Sequence, residues 1–152
     1  MGEFKKIDDI LSVSGQLTEA EIVMAAGLGF KTIINNRPDG EELAQATSDE
    51  VRAWAEKHGL NYHFMPVHPN DLPLDMVVEF GEVYQASETP ILAYCTTGMR
   101  SSVLWSFMMV VMSDAEIDLI LARPKLYGFD LSTLKDPMIS VREAIQKQAN
   151  SL

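Results

Sequence analysis

The only cysteine of this chain, Cys95, lies in the run Cys95-Thr96-Thr97-Gly98-Met99-Arg100-Ser101, between a short apolar segment, Pro90 to Tyr94, and a long one, Ser102 to Met112. That order reads as a buried strand, a tight loop and a buried helix. A helix N-terminus collects unpaired backbone N–H groups and partial positive charge. A cysteine held there beside an arginine gives up its proton readily, and the thiolate is the form that attacks. The bland alternative is a buried cysteine acting as a small hydrophobe. The loop composition favours the reactive one: Gly98 allows close backbone approach, Arg100 can hold an anion, and two serines open the helix. Cys95 is thus the candidate nucleophile and Arg100 its catalytic partner. Thr96, Thr97, Gly98, Met99 and Ser101 form the rest of an anion cradle.

Such residues need elements that present them at one edge. Ile10 to Val13 reads as a short strand and Lys31 to Asn35 as another, with β-branched residues at its centre. Leu60 to Val67, broken by Pro66, and Pro90 to Tyr94 are two more. Thr18-x-x-Glu21 and Thr47-x-x-Glu50 are capping boxes for helices that end at Gly27 or Gly29 and near His58-Gly59. Leu74 to Ser87 has helical spacing of Met76, Val77, Phe80, Val83 and Tyr84. Ser113-x-x-Glu116 offers a third capping box for a helix ended by Pro124, and Pro137 suits the first turn of a last helix to about Ala149. The alternation predicts an α/β fold with a central, mostly parallel sheet of four to five strands flanked by helices. In such sheets ligands gather at the carboxyl ends of the strands. The loops there are Asn36–Glu42, His68–Pro73 and Cys95–Arg100, which makes Arg37 and Asp71 candidate site residues. Arg37 either touches an anionic substrate or is a solvated or structural arginine. Asp71 is either a general acid or a turn residue between Asn70 and Pro73.

With 152 residues, the chain is expected to form a single domain over 1–152. One cysteine excludes an internal disulfide framework and a cysteine-rich zinc site. His58, His63 and His68 lack metal-ligand spacing, and no Walker-type or Gly-x-Gly-x-x-Gly loop occurs, so no metal or other cofactor is expected. The net charge of -10 repels nucleic acid and anionic membrane, so neither is an expected partner. Any anion site must then be built from local donors. The N-terminus has no apolar segment after Lys5-Lys6, and Val103 to Met112 falls far short of the ~20 residues that cross a bilayer. A cytoplasmic location, where a thiol stays reduced, is the expectation. Oligomeric state is left open.

Three patterns carry a resemblance: Ser14-Gly15-Gln16, Asn36-Arg37-Pro38-Asp39-Gly40-Glu41, and Cys95-x-Thr97-Gly98-x-Arg100-Ser101. In this order they resemble the bacterial family of small phosphatase-like domains also found fused to β-lactamase-fold hydrolases that handle persulfides. That family is similar to the dual-specificity phosphatases, which implies a protein-tyrosine-phosphatase-like fold. It also implies a Cys–Arg loop and an upstream general acid, the position of Asp71. Two departures, four residues between Cys95 and Arg100 instead of five and Tyr94 instead of His before the cysteine, resemble the rhodanese sulfurtransferases.

The favoured expectation is a sulfurtransferase. Cys95 takes sulfur from a small anionic sulfane-sulfur donor, forms a persulfide and passes the sulfur to a thiol acceptor. The geometric reason is that a loop shorter by one residue narrows the cradle, which suits one terminal sulfur better than a phosphoryl group. The alternative is phosphoester hydrolysis through a phosphocysteine, with Asp71 as acid and Ser101 or Ser102 assisting the thiolate. A third reading is a non-catalytic sulfur carrier or redox sensor.

Overall fold

The computed structural model describes residues 3–151. Strands β1 (Lys5–Lys6), β2 (Leu11–Ser14), β3 (Thr32–Asn35), β4 (Asn61–Phe64) and β5 (Ile91–Tyr94) form one sheet in the order β1-β2-β5-β3-β4. All neighbours are parallel except β1, which runs antiparallel to β2 at the edge. Every residue of β2, β3 and β5 is buried, as expected of parallel strands covered on both faces. The edge strand β4 is only partly covered. The short, charged β1 blunts the other edge.

Among the described residues six α-helices cover the sheet: α1 (Glu19–Gly27), α2 (Ser48–Lys57), α3 (Leu74–Ala86), α4 (Met99–Met112), α5 (Ile117–Lys125) and α6 (Lys135–Asn150). Side chains alternate across each strand, and the core divides accordingly. Leu92 and Tyr94 of β5 and Ile33 of β3 pack with Ile22 and Ala25 of α1 and Val51 and Ala55 of α2. Ile91, Ala93 and Ile34 pack on the opposite face with α3, α4, α5 and α6. Asp8 ties α4 to that face: its Oδ2 accepts from Trp105 Nε1 at 2.9 Å and from the Tyr84 hydroxyl at 2.6 Å.

The Thr18 and Thr47 capping boxes are both formed. The third is not. Ser113 Oγ donates back to the Met109 carbonyl at 2.6 Å, and α5 begins at Ile117 without a side-chain cap. The end of α4 and the turn after it are instead held by Arg142 of α6, which donates to the Val110, Ser113 and Ala115 oxygens. Pro124 does not end α5, which continues to Lys125. The expected strand Leu60–Val67 shortens to β4, because Pro66 stops the ladder, although Met65 and Val67 N–H groups still bond Asn35 and Asn36 oxygens.

Register is what builds the site. Tyr94 pairs with Ser14 on one side and Asn35 on the other. Gly15, Cys95 and Asn36 therefore leave the sheet side by side at its carboxyl edge.

Candidate active site

Cys95 directly follows β5 and is only 1 % exposed. Its sulfur accepts from the Gly98 N–H at 3.1 Å, so the loop curls back over it. That curl requires the left-handed backbone of Gly98, φ +102°, which caps α4 without a side chain. A Cβ there would meet the Phe129 ring at 3.3 Å. Gly15 is the second special position. A Cβ would lie 2.9 Å from the Thr96 carbonyl oxygen, so the end of β2 supports the loop backbone to backbone.

Arg100, in the first turn of α4, points across the loop. Its Nη1 donates to Glu41 Oε2 and to the Val67 carbonyl, each at 2.8 Å. Its Nη2 donates to Glu41 Oε1 at 2.8 Å and to Thr96 Oγ1 at 2.6 Å. Four of its five N–H donors are thus engaged, and the Nε–Nη2 edge faces the loop. Bonding to Glu41 raises the Arg100 pKa above its ordinary value against the effect of partial burial, and the nearby Cys95 charge adds to the rise.

Glu41 is the junction. Besides Arg100, its Oε1 accepts from Arg37 Nε at 3.0 Å and from the Thr96 hydroxyl at 3.2 Å. Arg100 first, then Arg37 and Thr96, pull its carboxyl down to about 2 against the opposing effect of burial. Arg37 is 3 % exposed, neither solvated nor at an open rim. Its Nη1 bonds Gln16 Oε1 at 2.9 Å and its Nη2 pairs with Glu42 at 3.2 Å. It holds Glu41 from behind.

The other expected residues divide. Thr97 accepts from the Met99 N–H, and Met99 is exposed at the mouth. Ser101 does not face an anion: it is fully buried, and its hydroxyl donates to Asn36 Oδ1 at 2.8 Å. Ser102 donates to the Gly98 carbonyl at 2.8 Å. Each hydroxyl has one proton, already committed, so neither is set to assist the sulfur. Asp71 is exposed in a turn whose N–H bonds the His68 carbonyl at 3.2 Å. It shares with Arg100 and Met99 a cavity between the His68–Pro73 loop and α4. Tyr94 points into the core on the α1–α2 side, where burial pushes its hydroxyl pKa up. Glu41, Gln16 and Gly15 were not anticipated as site residues, although each lies in a motif that carried the resemblance. Among the described residues, no group of three His, Cys, Asp or Glu side chains is placed to hold a metal.

Residues 3–111 match the family described as beta-lactamase hydrolase-like protein, phosphatase-like domain. The chain belongs to that family. The phosphatase-like domain is 33 % identical over 125 residues to the beta-lactamase hydrolase-like protein of Xylella fastidiosa strain Temecula1. The match covers 82 % of this chain but 29 % of that protein, so the chain spans under a third of such a relative's length. The crystal structure of a candidate phosphatase from Neisseria meningitidis Z2491 aligns at TM-score 0.81 with 36 % identity, covering 89 % of this chain and 95 % of that one. A cysteine-to-serine form of P. aeruginosa TpbA, in complex with phosphotyrosine, aligns at TM-score 0.68 with 16 % identity over 95 % of each chain, a likeness of fold. The α/β architecture of this phosphatase-like domain is therefore that of the protein-tyrosine-phosphatase-like proteins. Among the described residues no helix is long and apolar enough to cross a membrane.

Proposed function

We propose that this domain is a cysteine-dependent phosphatase acting on phosphate monoesters, rather than first of all the sulfurtransferase that the short loop suggests. The observation that carries the reading is the setting of Arg100. Glu41 and the Val67 carbonyl anchor one side of the guanidinium, and the Nε–Nη2 edge is turned to the Cys95 loop. Such an edge matches two oxygens of an oxyanion. The Thr96 hydroxyl would yield its Nη2 proton to a phosphate oxygen. Family membership and a fold shared with a phosphotyrosine-binding protein support the same substrate class.

In this mechanism the Cys95 thiolate attacks phosphorus. The bond from phosphorus to the leaving oxygen breaks, and Asp71 protonates that oxygen. Water then attacks phosphorus as the Asp71 carboxylate takes its proton, the P–S bond breaks, and phosphate leaves with the thiolate and the Asp71 acid restored. Arg100 and the loop N–H groups hold the equatorial oxygens, and such preorganised donors are worth roughly 3–4 kcal/mol each in the transition state.

Sulfur transfer remains a second reading on one observation: four of the five Arg100 donors are already bonded, and a lone terminal sulfur asks less of that group than a phosphoryl does. Mass spectrometry of the reduced protein after exposure to an aryl phosphate, and separately to a sulfane donor, tells the two apart. Phosphate release that needs Cys95, with a phosphoryl adduct on the Cys95 peptide, is expected, and Cys95→Ser should abolish it. A one-sulfur gain on Cys95, removed by a thiol and accompanied by no phosphate release, would replace the phosphatase reading. The same gain without turnover would make the domain a carrier.

A further inference from the structure

We propose that the cavity beside Arg100 binds the unbranched apolar chain of a phosphomonoester, with the phosphate at the Cys95 loop and the chain laid along α4. The assignment rests on the phosphatase reading and deepens it to a substrate class. The cavity has a volume of about 470 Å³, within the range of small-molecule sites. One wall is the stripe Met99, Val103 and Phe107, spaced four residues apart on α4. Leu74 and Val77 of α3 and Val141 of α6 face it. The stripe starts in the first turn of α4, the turn that carries Arg100, and runs for about 12 Å along the helix at ~1.5 Å per residue.

The polarity of the lining is graded. Its polar side chains are His68, Asn70, Asp71 and Arg100, all from the loop after β4 or from the first turn of α4. The remaining walls are almost wholly aliphatic with one Phe. An anionic head therefore meets the Arg100 guanidinium and the Asp71 side chain at the mouth, while the depth offers no partner for a polar group, and burying one there would be costly. Glu41 and Glu42 balance Arg37 and Arg100 in charge, so such a head is held by the Arg100 edge turned to the loop and not by an excess of cations. A single aromatic ring would occupy only the near end of a 12 Å stripe, whereas an extended chain of about eight carbons follows its length.

The test is calorimetric titration of the wild-type protein with methyl-, butyl- and octylphosphonate, below any micelle threshold. Their P–C bond is not hydrolysed, so binding is read without turnover. The expected result is a gain of about 4-fold in affinity per added methylene until the stripe is covered. Val103→Trp and Val141→Trp fill the cavity from opposite walls, so a folding defect in one leaves the other to judge; each should bring the octyl-to-methyl ratio close to 1. Methylphosphonate binding with a flat chain-length series would overturn the cavity assignment and leave the phosphatase reading standing. A gain surviving both tryptophan variants places the chain elsewhere and overturns it equally. If neither methyl- nor octylphosphonate binds, the oxyanion reading falls and the assignment falls with it.

Discussion

Replacing Glu41 with Gln tests the junction on which the site is built. Glu41 accepts two bonds from Arg100 and one each from Arg37 and Thr96, and its side chain is 21 % exposed. Moving a carboxyl from 4.5 to about 2 corresponds to roughly 3 kcal/mol of preference for the charged form. Solvent at the exposed part screens that to about 1–2 kcal/mol. Gln keeps the size but turns an N–H group toward one of the Arg100 donors. Arg100 then loses the anchor on its outer edge, and the Nε–Nη2 edge is no longer held toward Cys95. Glu41→Gln should lower kcat/KM for an aryl phosphate about 10-fold, by the usual conversion of ~1.4 kcal/mol. The sign with pH follows from the depressed value. The contribution of Glu41 to stability is complete above about 4.5, and it is lost as pH falls from there toward about 2. Urea unfolding of the two proteins should therefore differ by about 1–2 kcal/mol at pH 7 and converge only as the pH falls to about 2. An unchanged or raised kcat/KM would refute the reasoning, because it would make Glu41 an anion that competes with substrate for Arg100.

Two further outcomes follow from the same geometry. Asp71→Asn should reduce kcat by about 10²-fold or more for an alkyl phosphate, whose leaving group needs a proton, and by little for a nitrophenyl phosphate; equal effects on both esters would return Asp71 to its turn role. Gly15→Ala should cost about 1–3 kcal/mol in thermal unfolding and disturb the Cys95 loop, since its Cβ meets the Thr96 carbonyl at 2.9 Å; a variant with wild-type Tm and turnover would show that the approach of β2 to the loop is not tight.

What could be read from sequence was local. A capping box spans four residues, and those at Thr18 and Thr47 formed because nothing else claimed their hydroxyls. The same pattern at Ser113 failed because the preceding helix used the hydroxyl first, and Arg142 arrived from far downstream to take the neighbouring carbonyls. Buried strands were legible because continuous apolar runs have few other places to go. The cysteine loop was legible for the opposite reason: Gly98 and Arg100 stand where an apolar passage is interrupted. Helical phase was harder to use. Ser101 adjoins Arg100 in sequence, but it faces the sheet side and bonds Asn36.

The carboxylate that organises the site was hidden by distance. Glu41 lies in a Pro-Asp-Gly turn, where an acidic residue is ordinarily solvated, and its partner Arg100 comes 59 positions later. Only strand order reveals the connection. With β5 between β2 and β3, and Tyr94 in register with both Ser14 and Asn35, three chain segments must emerge together. Gln16, Glu41 and Arg100 then meet around Arg37 and Thr96 with no freedom to avoid one another. A chain of net charge -10 gains little from long-range attraction of anions. Its remaining route to an oxyanion site is a short-range one, in which Glu41 and Glu42 balance the two guanidiniums and Glu41 fixes which edge Arg100 turns to the loop. Removing Glu41 thus increases the positive charge yet weakens the site, since what the carboxylate contributes is the direction in which Arg100 points.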